Sequence, residues 1–228
     1  MQPTASPRAK ICCISSVEEA RTAVRYGASA LGLVSSMPSG PGVIGEDLIA
    51  EIAATIPPGV ASFLLTSKQD AQSIIEQQRR TRVNTIQICD SLEKKRYQHL
   101  RAALPGVALV QVIHVRGPES VHEARTVAPY VDGILLDSGN KSLAVKELGG
   151  TGRTHDWTVS NKIREAVEVP VFLAGGLNAG NVSEALDKVH PYALDLCSGV
   201  RTNGKLDEEK LAAFFHQVRQ WTSQHESM

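Results

Sequence analysis

The stretch Lys10–Val34, KICCISSVEEARTAVRYGASALGLV, decides how the rest of the chain is read. A short apolar run, Lys10–Ile14, gives way to Ser15 and Ser16, residue types that cap helices, with Glu18 and Glu19 in the turn that follows. The helical segment ends near Gly27, and ALGLV (Ala30–Val34) begins a second apolar run. This is a strand, an amphipathic helix and the next strand.

The order then repeats. EDLIAEIAATI (Glu46–Ile56) spaces Leu and Ile by three and four, as a helix facing a core does. VASFLL precedes KQDAQSIIEQQRR, TIQI precedes SLEKKRYQHLRAAL, and VALVQVI precedes PESVHEARTVAPY. VDGILLD, PVFLAGG and YALDLCSG open three more units, with helices expected near Val159–Val167, Asn178–Val189 and Asp207–Trp221. The strands are short and apolar on both faces, as parallel strands covered by helices are. Eight units predict a single (β/α)8 barrel over residues 9–221. A doubly wound open sheet uses the same unit, and the unit count favours closure. Residues 1–8 and 222–228 read as flexible tails.

Lys plus Arg (24) balance Asp plus Glu (24), and no basic run or basic-aromatic stripe is present. These features argue against a nucleic-acid surface. No signal core or membrane-length apolar stretch is present either, so no membrane partner is expected and the expected location is cytoplasmic. Cys12, Cys13, Cys89 and Cys197 form no CxxC pair and have no His at metal spacing, so no metal is expected. The sequence leaves the oligomeric state open.

In a barrel, chemistry gathers at the C-terminal ends of the strands. AGGL (Ala174–Leu177) and CSGV (Cys197–Val200) place small residues after strands 7 and 8, where bare backbone amides approach a phosphate; glycine also serves plain tight turns there. Asp137 ends strand 6 on the face of Gly133 and Leu135, as a proton donor or acceptor or as a loop anchor. Alternation puts Cys12 and Cys13 on opposite faces, with Lys10 on the face of Cys12. One cysteine is therefore expected at the barrel mouth, where a nearby cation favours thiolate, and Cys13 is expected to pack toward the helices. GGTG (Gly149–Gly152) fits neither a dinucleotide turn nor a Walker A loop.

KIC (Lys10–Cys12), LLD (Leu135–Asp137), GGTGRTHDW (Gly149–Trp157), VFLAGGLNAGNV (Val171–Val182) and SGV (Ser198–Val200) together resemble the phosphoribosylanthranilate isomerase family. The resemblance implies a (β/α)8 barrel performing an Amadori rearrangement of a phosphoribosyl arylamine in tryptophan biosynthesis, with no metal or organic cofactor. It implies Asp137 as general acid, Cys12 as general base, and Gly176, Ser198 and Gly199 around the substrate phosphate. The sequence departs from the pattern at Cys13, where the family usually has glycine. Gly42 stands near a carboxylate-binding arginine position, Gln111 where lysine is common, and Arg201 where an acid is usual. Arg201 is expected either at the surface or as a displaced carboxylate clamp. A non-catalytic sugar-phosphate-binding barrel is the alternative expectation.

Overall fold

The computed structural model describes residues 7–139, 142–143, 145–150 and 152–225. Strands β1 (Arg8–Ile11), β2 (Ala30–Val34), β3 (Ala61–Thr66), β4 (Thr85–Ile88), β5 (Ala108–His114), β6 (Gly133–Asp137), β7 (Val171–Leu173) and β8 (Ala193–Leu196) form a closed barrel in chain order. Every pairing is parallel, and β8 returns to β1 with Ile11 opposite Leu196. The helices are α1 (Val17–Tyr26), α2 (Glu46–Thr55), α3 (Ala71–Thr81), α4 (Lys94–Ala103), α5 (Glu119–Val127), α6 (Trp157–Ala166), α7 (Val182–Val189) and α8 (Glu208–His225).

Local chemistry explains where these elements begin. The Ser16 hydroxyl accepts from Glu19 N at 3.1 Å, while Glu19 returns a carboxylate oxygen to Ser15 N at 3.0 Å, so serine and glutamate satisfy the orphan amides of α1 reciprocally. Asp70 caps α3 by accepting from Ser73 N, and Asp156 caps α6 by accepting from Thr158 N. Along β6, Ile134 and Leu136 pack toward the helices, while Leu135 joins Phe63, Val110 and Phe172 inside the barrel. The Phe63 and Phe172 rings meet edge to face across the lumen at 5.7 Å. The barrel is therefore a packed core below its mouth, and polar chemistry is confined to the strand ends.

Two boundaries differ from the sequence expectation. β1 stops at Ile11 rather than Ile14, because Cys13 has φ +64° and cannot continue a strand. α8 runs past Trp221 to His225, its end tied down by the Trp221 indole N–H on Asp187 at 2.6 Å and by the Thr222 hydroxyl on Val218 O at 2.9 Å. Of the expected tails, Arg8 lies in β1 and Thr222–His225 in α8, whereas residues 1–6 and 226–228 lie outside the described residues. Among the described residues, no helix is long and apolar enough to cross a membrane.

Candidate active site

The C-terminal strand ends enclose a cleft with about 670 Å³ of empty space, its open mouth included. Cys12, Cys13, Gln87, Asp137, Asp195 and Ser198 line it. The loops after β2 and β6 close over it from two sides. The Ser39 hydroxyl donates to Lys146 O at 2.6 Å, and Lys146 Nζ reaches Asp90 at 2.5 Å. Gly149, Gly150 and Gly152 of the GGTG stretch line the same cleft; its Thr151 lies outside the described residues.

Strand geometry sets the base end. Cys12 N donates to Leu196 O at 2.7 Å, continuing the β1–β8 ladder one residue past the strand. A Cβ placed on Gly32 of β2 would stand 2.7 Å from Cys12 Sγ and 3.1 Å from Lys10 Nζ, so thiol and ammonium meet over the same residue. The expectation for Cys13 is overturned: its side chain lines the cleft beside Cys12 instead of facing the helices. The reason is its left-handed backbone, which breaks the alternation on which that expectation rests. A non-glycine residue in this region costs roughly 1–2 kcal/mol.

Gly42 has φ +78°, and a Cβ there would lie 2.5 Å from Cys13 Cβ. Two departures from the family pattern are thus one packing arrangement, with bulk added at position 13 and absent at position 42. Arg201 is neither a surface residue nor a clamp in the cleft. It is 8 % exposed, and its guanidinium donates to Cys13 O at 2.5 Å and to both carboxylate oxygens of Glu19 at 3.0 and 2.9 Å. The same glutamate that caps α1 therefore anchors the arginine holding the end of β1. Gln111 turns outward as well. Its Nε2 donates to Ile88 O and Asp90 O, and its Oε1 accepts from Tyr97, which leaves the cleft untouched by the change from lysine.

Lys10, fully buried, pairs with Asp195 at 2.8 Å. Burial works against its charge, but attraction to Asp195 outweighs burial and raises the Lys10 pKa, so it stays a cation under the cleft. The Cys12 thiol is held below the usual thiol range: a hydrogen bond from Cys13, with help from Lys10, overcomes burial. Cys13 is correspondingly pushed well up by its hydrogen bonds to Cys12 and Cys197 and by burial, and it remains a donor. Gln87 is 3 % exposed, and its Oε1 has no partner among the described residues.

Asp137 ends β6 with its Oδ1 accepting from Ser138 N at 2.7 Å. Gly176 and Ser198 line the same cleft, and Gly199 sits half-buried against Leu177. Asn178 and Asn181 both donate side-chain amides to Gly176 O at 3.1 Å, fixing the turn. Gly176 has φ +64°, and a Cβ there would stand 2.9 Å from Thr154 N, so the GGTGRTHDW loop lies directly on it. Ser198–Val200 forms a single 3-10 turn after β8. The cleft therefore joins a poised thiol, a carboxylate and small-residue turns fit for an anion.

Asp195 was not singled out from the sequence, although alternation along β8 places it on the face of Ala193 and Cys197. Gln87 was read only as part of the strand TIQI. Among the described residues, no group of three or more His, Cys, Asp or Glu side chains is arranged to hold a metal.

A family model described as N-(5′-phosphoribosyl)anthranilate (PRA) isomerase matches residues 9–217. The N-(5′-phosphoribosyl)anthranilate isomerase of Methanocella arvoryzae is 35% identical over 213 residues, covering 93% of this chain and 98% of the relative. Isomerase 2 of Methanosarcina mazei is 35% identical over 93% of this chain and 94% of its own. Among solved structures, phosphoribosyl anthranilate isomerase from Thermotoga maritima superposes with a TM-score of 0.80 at 26% identity, covering 94% of this chain and 99% of that one.

Proposed function

The chain belongs to the N-(5′-phosphoribosyl)anthranilate isomerase family, and on that premise we propose that it catalyses the Amadori rearrangement of N-(5′-phosphoribosyl)anthranilate. Asp137 donates a proton to the ribose ring oxygen, the C1′–O bond opens, and the anilinic nitrogen forms a Schiff base. Cys12, as thiolate, takes the C2′ proton to give an enolamine, which tautomerises to the aminodeoxyribulose phosphate. Cys13 keeps its proton and donates to Cys12, and the buried Lys10 cation adds to the field that favours thiolate. Gly176, Ser198 and Gly199 hold the phosphate, which orients C1′ and C2′ between the two groups. This reading makes the chain a cytoplasmic enzyme of tryptophan biosynthesis acting on a phosphorylated small molecule, without an organic cofactor.

The observation that carries the reading is that Cys12 and Asp137 line one cleft with the turns at Gly176 and Ser198. Purified protein should consume phosphoribosylanthranilate, followed by its fluorescence, and Cys12→Ser and Asp137→Asn should slow that consumption. Wild type without turnover would remove this substrate, and unchanged turnover in both variants would remove the mechanism. One observation favours binding without turnover, namely that Gly42 packs on Cys13 and carries no guanidinium. A sugar phosphate that raises the melting temperature while no product accumulates would support that reading.

A further inference from the structure

Cys12, Cys13 and Cys197 are free thiols lining the same cleft. β1 and β8 run parallel with Ile11 opposite Leu196, so the segments leaving them start side by side. Cys12 N donates to Leu196 O at 2.7 Å, so the two chains stay side by side up to the residue before Cys13. The left-handed turn at Cys13 brings its side chain back into the cleft, where its thiol donates to Pro41 O at 3.7 Å and Cys197 packs against the cluster that holds Cys12 and Cys13. Arg201 fixes the Cys13 carbonyl at 2.5 Å, and with the Cys12 amide held on Leu196 O the backbone on the β1 side is anchored. Cys197 is the more exposed of the two partners.

We propose that Cys13 and Cys197 form a reversible disulfide across the ends of β1 and β8, and that this bond switches the site off. The oxidant is a hydroperoxide. The Cys197 thiolate attacks a peroxide oxygen, the O–O bond breaks, and hydroxide leaves with a sulfenic acid remaining on Cys197. Cys13 sulfur then attacks that sulfur, the S–O bond breaks, and the Cys13 proton departs with the hydroxide as water. Two thiols and one hydrogen peroxide give one disulfide and two waters, and a dithiol reverses the result by exchange. In a reducing compartment such a bond is transient and reports oxidant, as cytosolic disulfides usually do. Oxidised Cys13 has no S–H to donate to Cys12, and the bridge joins two residues of the cleft lining, one beside Cys12 and one beside Ser198.

Formation of the bond is independent of the reaction assigned above, whereas its effect on turnover rests on that assignment. The test treats reduced protein with hydrogen peroxide, blocks remaining thiols, maps cross-linked peptides by mass, and assays phosphoribosylanthranilate turnover before and after dithiothreitol. The expected result is a Cys13–Cys197 peptide pair lacking two hydrogens, a loss of kcat/KM of about a hundredfold as expected for a displaced catalytic group, and recovery on reduction. Cys197→Ser should lose both the cross-link and the reversible component of inactivation. No cross-link, a cross-link through a different pair, or full turnover by cross-linked protein would overturn the proposal. Reduced protein without turnover would sink the isomerase reading, while the mass map would still decide the bond.

Discussion

Two kinds of wall enclose the cleft: backbone turns at Gly152 and Gly176 beside the start of the turn at Ser198, and the side chains of Cys12, Cys13 and Asp195, with Lys10 buried beneath them. The first kind of wall admits almost no change, since any Cβ at Gly176 meets the loop above it. The second tolerates exchange, provided the parts move together: a thiol at position 13 is accommodated because position 42 has no side chain, and Arg201 and Glu19 hold the strained turn from beneath.

The largest effect should come from the reacting groups. Asp137→Asn and Cys12→Ser should each lower kcat/KM by about 10²- to 10⁴-fold, mostly through kcat, in steady-state assays. A change confined to KM would make these residues binding groups and blur the contrast between the walls.

Next comes the support of the thiol wall. Burial pushes the Glu19 carboxyl up, but hydrogen bonds from Arg201 and from the Leu206 and Ser15 amides outweigh it and leave the pKa below its ordinary value. A carboxyl depressed on folding contributes stability above its unfolded pKa and loses it as pH falls through the folded one. Glu19→Gln should therefore destabilise by about 3 kcal/mol near neutral pH, because Arg201 stays buried without its partner. The deficit should shrink on acidification, as read from urea midpoints. An equal deficit at every pH would show that the pair contributes shape alone.

Gly176→Ala tests the backbone wall. A left-handed backbone position costs a non-glycine residue roughly 1–2 kcal/mol, and here the added methyl also meets the loop. KM should rise while kcat holds. The smallest effect belongs to Cys13→Gly, which removes the donor to Cys12. Its acid limb of kcat/KM should move to higher pH with little loss at the plateau, and an unmoved limb would show that Cys13 only fills space.

Much of this was legible in the sequence. Eight repeats of one unit, and both-face apolar strands such as VDGILLD, specify the barrel; alternation aims Asp137 at the mouth; the small-residue turns at Gly176 and Ser198 reach the same cleft. Cys13 was misread because alternation holds only while φ stays extended, and the one signal of a left-handed residue was the glycine that the resemblance places at this position. Arg201 was misread because its partner, Glu19, lies 182 positions away. Gln111 drew attention as a change at a strand, but its side chain faces α4, where Tyr97 answers it.

The central claim is that Cys12 works as a thiolate in the cleft that Asp137 and the turns at Gly176 and Ser198 also line. Its most direct test compares the pH dependence of Cys12 alkylation by iodoacetamide with the acid limb of kcat/KM for phosphoribosylanthranilate in the same protein. The two curves should share one midpoint below the usual thiol range. Turnover that stays constant while the thiolate titrates away would contradict the claim.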